Sequence, residues 1–280
     1  MKTFFLFLFC LFTVFSSAQT DTLRIATFNI RYDNKDDYPN DWVHRRDTLA
    51  AFVRAQGLDL IGMQEVLHNQ LEDLAARLPQ YEHIGVGRDD GRQRGEYAPL
   101  FFRKDRFRLL ESGTFWLSQY PDSAGFIGWD GACTRLATWA LLRDLQKGEE
   151  LFVLNTHFDH VGTEARRQSA RLVRRMADSL AQGRKLILTG DLNVSDQSDA
   201  YRLLLADNAS LKDAWKTAEK RSGATYTFHD FGRLPVDSRA KIDFVFVDTG
   251  FRVLNSFIPA EDGRHGFLSD HNPQLVVLCY

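Results

Sequence analysis

The chain has 280 residues, 44% hydrophobic and 26% charged, a balance that fits a packed globular fold and excludes a disordered or fibrous chain. Its formal net charge is −2, so it lacks the basic excess of a protein that grips long nucleic acid. Cys133 and Cys279, the two cysteines beyond the N-terminal segment, are too few for a disulfide framework, and no Cys and His residues show zinc-ligand spacing.

The N-terminus reads as an export signal. Met1-Lys2-Thr3 supplies positive charge, Phe4 to Phe15 is apolar apart from Cys10 and Thr13, and Ser16-Ser17-Ala18 has the small residues of a cleavage site. The apolar run falls short of the about 20 residues that span a bilayer. Residues 1–18 are therefore expected to be removed, leaving 19–280 as one domain, secreted or periplasmic. No Pro/Gly/Ser-rich linker divides it.

Strand-like and helix-like segments then alternate. Leu23 to Ile30 is a strand, Trp42 to Ala55 an amphipathic helix, Leu58 to Met63 a buried strand, and Leu67 to Leu78 a helix. Tyr81 to Val86, Ala98 to Arg103, Phe107 to Trp116, Ala137 to Leu145 and Leu151 to Thr156 follow as strands. Glu164 to Ala181 is a strong helix, with Leu172, Val173, Met176 and Leu180 inward, the arginines outward, Thr163 as N-cap and Gly183 as stop. Leu186 to Thr189, Ile242 to Val247, Val253 to Phe257 and Leu275 to Leu278 complete the strands. The series implies an α/β domain with a mixed sheet core covered by helices.

The informative polar residues sit at the ends of these strands, where ligands bind in open α/β sheets. Asn29 and Arg31 follow the first strand, Glu65 the second, and Glu96 precedes Ala98 to Arg103. His157 closes another strand, Asp191 and Asn193 follow Leu186 to Thr189, Asp243 opens a strand, and Asp270-His271 precede the last. Each residue alone is equally compatible with a turn or a solvated surface. Together they supply carboxylates that suit a hard metal ion, amides and histidines for phosphate oxygens, and a His paired with an Asp for proton transfer.

In this order, Thr-Phe-Asn-Ile-Arg, Gln-Glu, Gly-Glu-Tyr, Asn-Thr-His, Gly-Asp-Leu-Asn, Lys-Ile-Asp and Ser-Asp-His, the chain resembles the endonuclease/exonuclease/phosphatase superfamily from Leu23 to Leu278. Gly-Thr-Phe-Trp-Leu-Ser at 113–118 and His157-x-Asp159-His160 are similar to an exported bacterial subgroup. The resemblance implies a four-layer α/β sandwich, two packed mixed sheets flanked by helices. It implies a Mg2+ ion, or Mn2+ in its place, on Glu65 with Asn29 and Asp270 close by. His271 would be the general base, oriented by Asp243, with Asp191 and Asn193 around the nucleophilic water and the scissile phosphate. His157, supported by Glu96, would contact the phosphate, and Arg31 would clamp one of its oxygens, with Asn29 nearby.

The activity expected is a metal-dependent phosphoester hydrolase, in which a His general base directs water in line at phosphorus. The residues leave the substrate open between nucleic acid, nucleotide, and small or lipid-linked phosphoesters such as sphingomyelin. No stable protein partner is implied, and a monomer is expected. An inactive binding module would lack one of Glu65, Asp191, Asp243 or His271, and all are present. A zinc hydrolase built on His157, Asp159 and His160 is the third class. Trp42, Arg45, Trp116 and Trp129 are residues of the core, the rim or the cleft.

Overall fold

Successive side chains of a strand point to opposite faces of the sheet, and in the central strands of this chain both faces are buried. The computed structural model describes residues 22–280 apart from 207–210, 262 and 265, so the expected signal segment lies outside the described residues. In chain order the elements are β1 (Thr22–Asn29), α1 (Trp42–Gln56), β2 (Leu60–Gln64), α2 (His68–Arg77), β3 (Tyr81–Ile84), β4 (Leu100–Arg103), β5 (Phe107–Trp116), β6 (Leu136–Asp144) and β7 (Glu150–His157). They continue with α3 (Thr163–Ala181), β8 (Lys185–Asp191), α4 (Asp199–Leu205), β9 (Leu211–Asp213), α5 (Ala214–Thr217), β10 (Lys220–Gly223), β11 (Asp243–Asp248), β12 (Arg252–Ile258) and β13 (Gln274–Cys279).

The strands form two sheets, in the order β10-β12-β13-β1-β2-β4-β3 and β5-β6-β7-β8-β11-β9. The pairs β1–β2 and β7–β8 are parallel, and parallel neighbours need a crossover, supplied by α1 and α3. The alternation sorts the core into three layers. Leu23, Ile25, Leu60, Leu151, Val153, Ile187, Val245 and Val247 meet between the sheets. Ala26, Phe28, Ile61 and Met63 face Leu49 and Val53 of α1 and Leu71 and Leu74 of α2. Phe152, Leu154, Leu186, Leu188, Phe244 and Phe246 face Leu172 and Val173 of α3 and Leu204 of α4. The fold is thus a four-layer sandwich of helices, sheet, sheet and helices. Among the described residues no helix is long and apolar enough to cross a membrane.

Three details of α3 differ from expectation. Its N-cap is Gly162, with Thr163 the first helical residue and no side-chain cap of its own. Asp130, from the loop between β5 and β6, instead accepts the Glu164 and Ala165 amides at 3.2 and 2.6 Å. Among its arginines, Arg174 is buried, with Nε donating to Asp178 at 2.9 Å. At the C-terminus the left-handed residue is Gln182, with φ 49°, followed by Gly183 at φ 81°. Cys133 and Cys279 are both free thiols.

Between the sheets the inward row turns polar toward one end. The next inward positions after the aliphatic residues are Thr27 and Asn29 on β1, Gly62 and Gln64 on β2, Asn155 and His157 on β7, and Thr189 and Asp191 on β8. Gln64 Nε2 donates to Thr27 Oγ1 at 3.1 Å and to Asn155 Oδ1 at 2.7 Å. Asn155 Nδ2 donates back across the sandwich to the Met63 and Pro99 carbonyls at 2.6 and 3.0 Å, and Thr189 Oγ1 donates to Asn155 Oδ1 at 3.0 Å. Gly62 makes room for this layer: a Cβ there would lie 2.0 Å from Thr189 Oγ1 and 2.5 Å from Asn155 Oδ1.

Replacing Gly62 with alanine should therefore lower stability by about 1–3 kcal/mol through overpacking and disturbed buried hydrogen bonds. Denaturant titration measures it, and an unchanged midpoint would show that the sheets have slack at this point.

Candidate active site

The register of the second sheet places His157, Asp191 and Asp243 side by side, because His157 pairs with Asp191 and Asp191 with Asp243. In the first sheet Asn29 pairs with Gln64, immediately before Glu65. Asn29 Nδ2 joins the two sheets, donating to Glu65 Oε1 at 3.0 Å and to Asp191 Oδ2 at 2.9 Å. Beyond the strand ends the chain turns sharply. Arg31, Glu65 and Asn193 take φ of 58°, 59° and 52°, a region costly for residues with a Cβ. Side chains of the site hold the turns: Asn29 Oδ1 accepts the Arg31 amide at 3.0 Å, Glu65 Oε2 the Tyr32 amide at 3.3 Å, and Asp191 Oδ1 the Asn193 amide at 2.8 Å.

Asp243 Oδ2 lies 2.9 Å from His271 Nδ1, and His271 Nε2 is 3.9 Å from Asp191 Oδ2. His157 Nε2 lies 3.6 Å from the same Asp191 oxygen and 3.0 Å from Asn193 Nδ2. Glu65, Glu96, His157, Asp191, Asn193, Asp270, His271 and Arg31 all line one cleft of roughly 560 Å3, while Asn29 and Asp243 support it from behind. Every residue expected at the site is therefore gathered in one place, although three hold geometries the sequence did not foretell. Asn29 offers its NH2 group to two carboxylates and its oxygen to a backbone amide. Arg31 spends Nε and Nη2 on Asp37, at 2.8 and 3.3 Å, leaving Nη1 3.9 Å from Glu65. Glu96 Oε2 is 3.9 Å from His157 Nδ1, beyond hydrogen-bond reach, and accepts Arg88 Nη1 at 2.6 Å instead.

The environments set the charges. Burial lowers the affinity of His271 for its proton, but Asp243, Asp270 and Asp191 outweigh burial and push its pKa up to about 10. His157 goes the other way, held well below its ordinary value by burial and then by the charges of Arg135 and Arg88. Burial and the Asp243 charge raise Asp191 to about 7. Asp270 is raised by burial, and the neighbouring Glu65 charge adds to the rise. Glu65 and Asp270 are oxygen donors whose negative charge is only partly offset, by His271 beside Asp270 and by Arg31, whose own charge Asp37 shares. That donor set fits a hard divalent cation. Asp191, Asp243 and His271 also bring ligand atoms within 4.8 Å of one another. The zinc alternative fares worse. Asp159 Oδ1 accepts the Val161 and Gly162 amides at 2.8 and 2.7 Å, and Oδ2 those of Ala132 and Cys133 at 2.9 and 3.2 Å, so both oxygens are committed to backbone.

Several supports carry no signature in the sequence. Thr227 Oγ1 accepts the Ile242 and Asp243 amides at 3.0 and 3.1 Å, and the His229 and Asp230 amides donate to the Asp270 carbonyl at 3.0 and 3.1 Å. Phe228 packs on the His271 ring with centroids 4.9 Å apart. Arg45 is buried away from the cleft, where Nη1 ties the Ile30 and Leu268 carbonyls together at 2.8 and 2.6 Å. Trp42 and Trp116 are core residues and Trp129 packs on the helix-side core.

This fold recurs in known proteins. Residues 26–271 match the Endonuclease/Exonuclease/phosphatase family. A solved endonuclease/exonuclease/phosphatase from Bacteroides vulgatus is 52% identical, covers 92% of this chain and 98% of its own, and superposes with a TM-score of 0.90. A mannosyl-6-phosphatase from Bacteroides thetaiotaomicron is 33% identical over 92% of this chain and 100% of its own, with a TM-score of 0.85. The catalytic domain of human nocturnin shares the fold at 18% identity, with a TM-score of 0.74 over 92% of this chain and 93% of its own. No match is found among curated proteins. The chain belongs to the endonuclease/exonuclease/phosphatase family, whose members are phosphoester hydrolases that generally require a divalent metal.

Asp243 is the largest charge that keeps His271 protonated, so Asp243→Asn should lower the His271 pKa from about 10 in the metal-free protein. NMR titration of the His271 ring reads the shift directly, and a pKa that stays near its starting value would remove Asp243 from the role.

Proposed function

We propose that the protein is an exported, Mg2+-dependent phosphoester hydrolase that works on compact phosphomonoesters, of which sugar phosphates are the leading class. One observation carries the reading: a hydrogen-bonded Asp243–His271 pair faces Asp191, Asn193 and His157 across the same cleft that holds Glu65 and Asp270. The mannosyl-6-phosphatase relative and the missing basic excess favour a small substrate over long nucleic acid. Export rests on the N-terminal apolar run and its small-residue site.

Glu65 and Asp270 would hold the ion, which when bound neutralises charge on the phosphate and its leaving oxygen. His271 takes the proton of the attacking water at Nε2, while Asp243 keeps the ring oriented through Nδ1. His271 serves as a base near neutral pH only when positive charge beside Asp270 offsets the carboxylates that otherwise hold it protonated. Asn193 and neutral His157 bind phosphate oxygens in place of the 3.0 Å contact they make with each other. Asn29 fixes the spacing of Glu65 and Asp191.

The test is to express residues 19–280 and assay monoester and diester reporters, DNA, RNA and sphingomyelin with and without chelator. Chelation should abolish turnover and Mg2+ restore it. Glu65→Ala and His271→Ala should each lose ~100-fold or more. Activity that survives chelation would end the metal mechanism, and full activity in both variants would end the site assignment. N-terminal sequencing of exported protein should start at Gln19; a retained leader would refute the cleavage.

A further inference from the structure

Next to the catalytic residues, on the far side of His157, lies a second polar cluster. Arg135 is 6% exposed, yet its Nε and Nη1 have no hydrogen-bond acceptor; only Nη2 is engaged, 3.3 Å from His160 Nδ1. Arg88 Nε is likewise buried without a hydrogen-bond acceptor, its ion-pair partner Asp89 Oδ1 lying 3.9 Å away. Glu96 sits between the two guanidiniums, 2.6 Å from Arg88 Nη1 and 3.8 Å from Arg135 Nη1. All three side chains line the catalytic cleft. Buried polar groups are nearly always paired, and each unpaired one costs about 1–3 kcal/mol. Three guanidinium nitrogens without acceptors, buried in side chains that wall the cleft, give this cluster donor capacity that a ligand's oxygens satisfy once the guanidiniums turn toward it.

Position says which part of the ligand. His157 bridges the two regions, with Nε2 3.6 Å from Asp191 and Nδ1 3.9 Å from Glu96. The cluster thus begins one imidazole ring away from the residues that surround the phosphate, where the group attached to phosphorus must lie. Charge says which chemistry. Glu96 sets an acceptor between two guanidinium donors, a mixed set that a group able only to accept, such as a phosphate or a carboxylate, cannot fully satisfy. A hydroxyl satisfies both partners at once, accepting from a guanidinium and donating to the carboxylate, and the guanidinium fork spans two neighbouring oxygens. The loop that leads into Arg135 also exposes Tyr120 and Phe126, whose rings lie 5.0 Å apart.

We propose that Arg88, Glu96 and Arg135 form a leaving-group pocket that recognises adjacent hydroxyls of a sugar. The assignment rests on the hydrolase reading above, because it takes the leaving group to sit beside the phosphate. Calorimetry on the Mg2+-loaded His271→Ala protein tests it, with mannose 6-phosphate, glucose 6-phosphate and phenyl phosphate as probes. At least one sugar phosphate should bind about tenfold or more tighter than phenyl phosphate, the scale of a charged hydrogen bond. Adding Arg135→Gln or Arg88→Gln should bring the two classes of dissociation constant to within about threefold. Arg135→Lys keeps the charge and loses the fork, so it should fold, by its melting curve, and still lose the preference. No preference in the starting protein, or one that survives these substitutions, overturns the pocket. The binding ratio is read without turnover, so it stands apart from hydrolysis by the native protein, which alone decides the hydrolase reading.

Discussion

Asn29 and Asp191 meet across the gap between the two sheets, and the placement of the other site groups follows from that contact. One amide nitrogen holds a carboxylate from each sheet, Glu65 and Asp191, at 3.0 and 2.9 Å. Beneath it, Asn155, Gln64, Thr27 and Thr189 form a hydrogen-bonded polar layer where an ordinary sandwich would bury aliphatic side chains. Apolar packing is tolerant of small slides; hydrogen bonds with fixed partners are not. The polar layer therefore holds the sheets in register at the end where a catalytic constellation needs sub-ångström placement.

The two histidines show how far the same side chain is tuned by its neighbours. His157 is buried beside Arg135 and Arg88 and stays neutral, while His271 is buried beside three aspartates and stays charged until those charges are offset. A neutral imidazole suits hydrogen bonding to phosphate oxygens. A ring pressed toward protonation by its surroundings suits repeated uptake and release of a proton.

Much of this was legible in the sequence because period-two alternation sorts residues onto faces. Leu23 and Ile25 point between the sheets, and the same row continues through Thr27 to Asn29, so a strand with apolar residues on alternate positions ends in a functional one. The elements that escaped notice lack that pattern. β10 is Lys-Arg-Ser-Gly and wholly exposed, and α4 and α5 are too short to show a helical period. Arg174 was expected on the surface, and Arg88 and Arg135 carry no signal of their own, since an arginine's burial depends on partners brought from elsewhere in the chain. Thr227 and Asp130 act through backbone amides of distant segments, which no local spacing reveals. Thr163 was misjudged for that reason: Asp130 had already taken the amides a cap would serve.

The staples of the site join residues very far apart along the chain. Asn29 and Asp191 are separated by 162 positions, Arg45 and Leu268 by 223, and Asn29 and Ser269 by 240. Closing such loops costs entropy before any contact forms. The hairpins and crossover units can therefore assemble locally, while the cleft exists only once the first and last strands of the domain lie side by side. Hydrolysis is then a late reporter of folding: in a refolding experiment, sheet content should recover before catalysis does, and the interval between them is the time the chain takes to bring its two ends together.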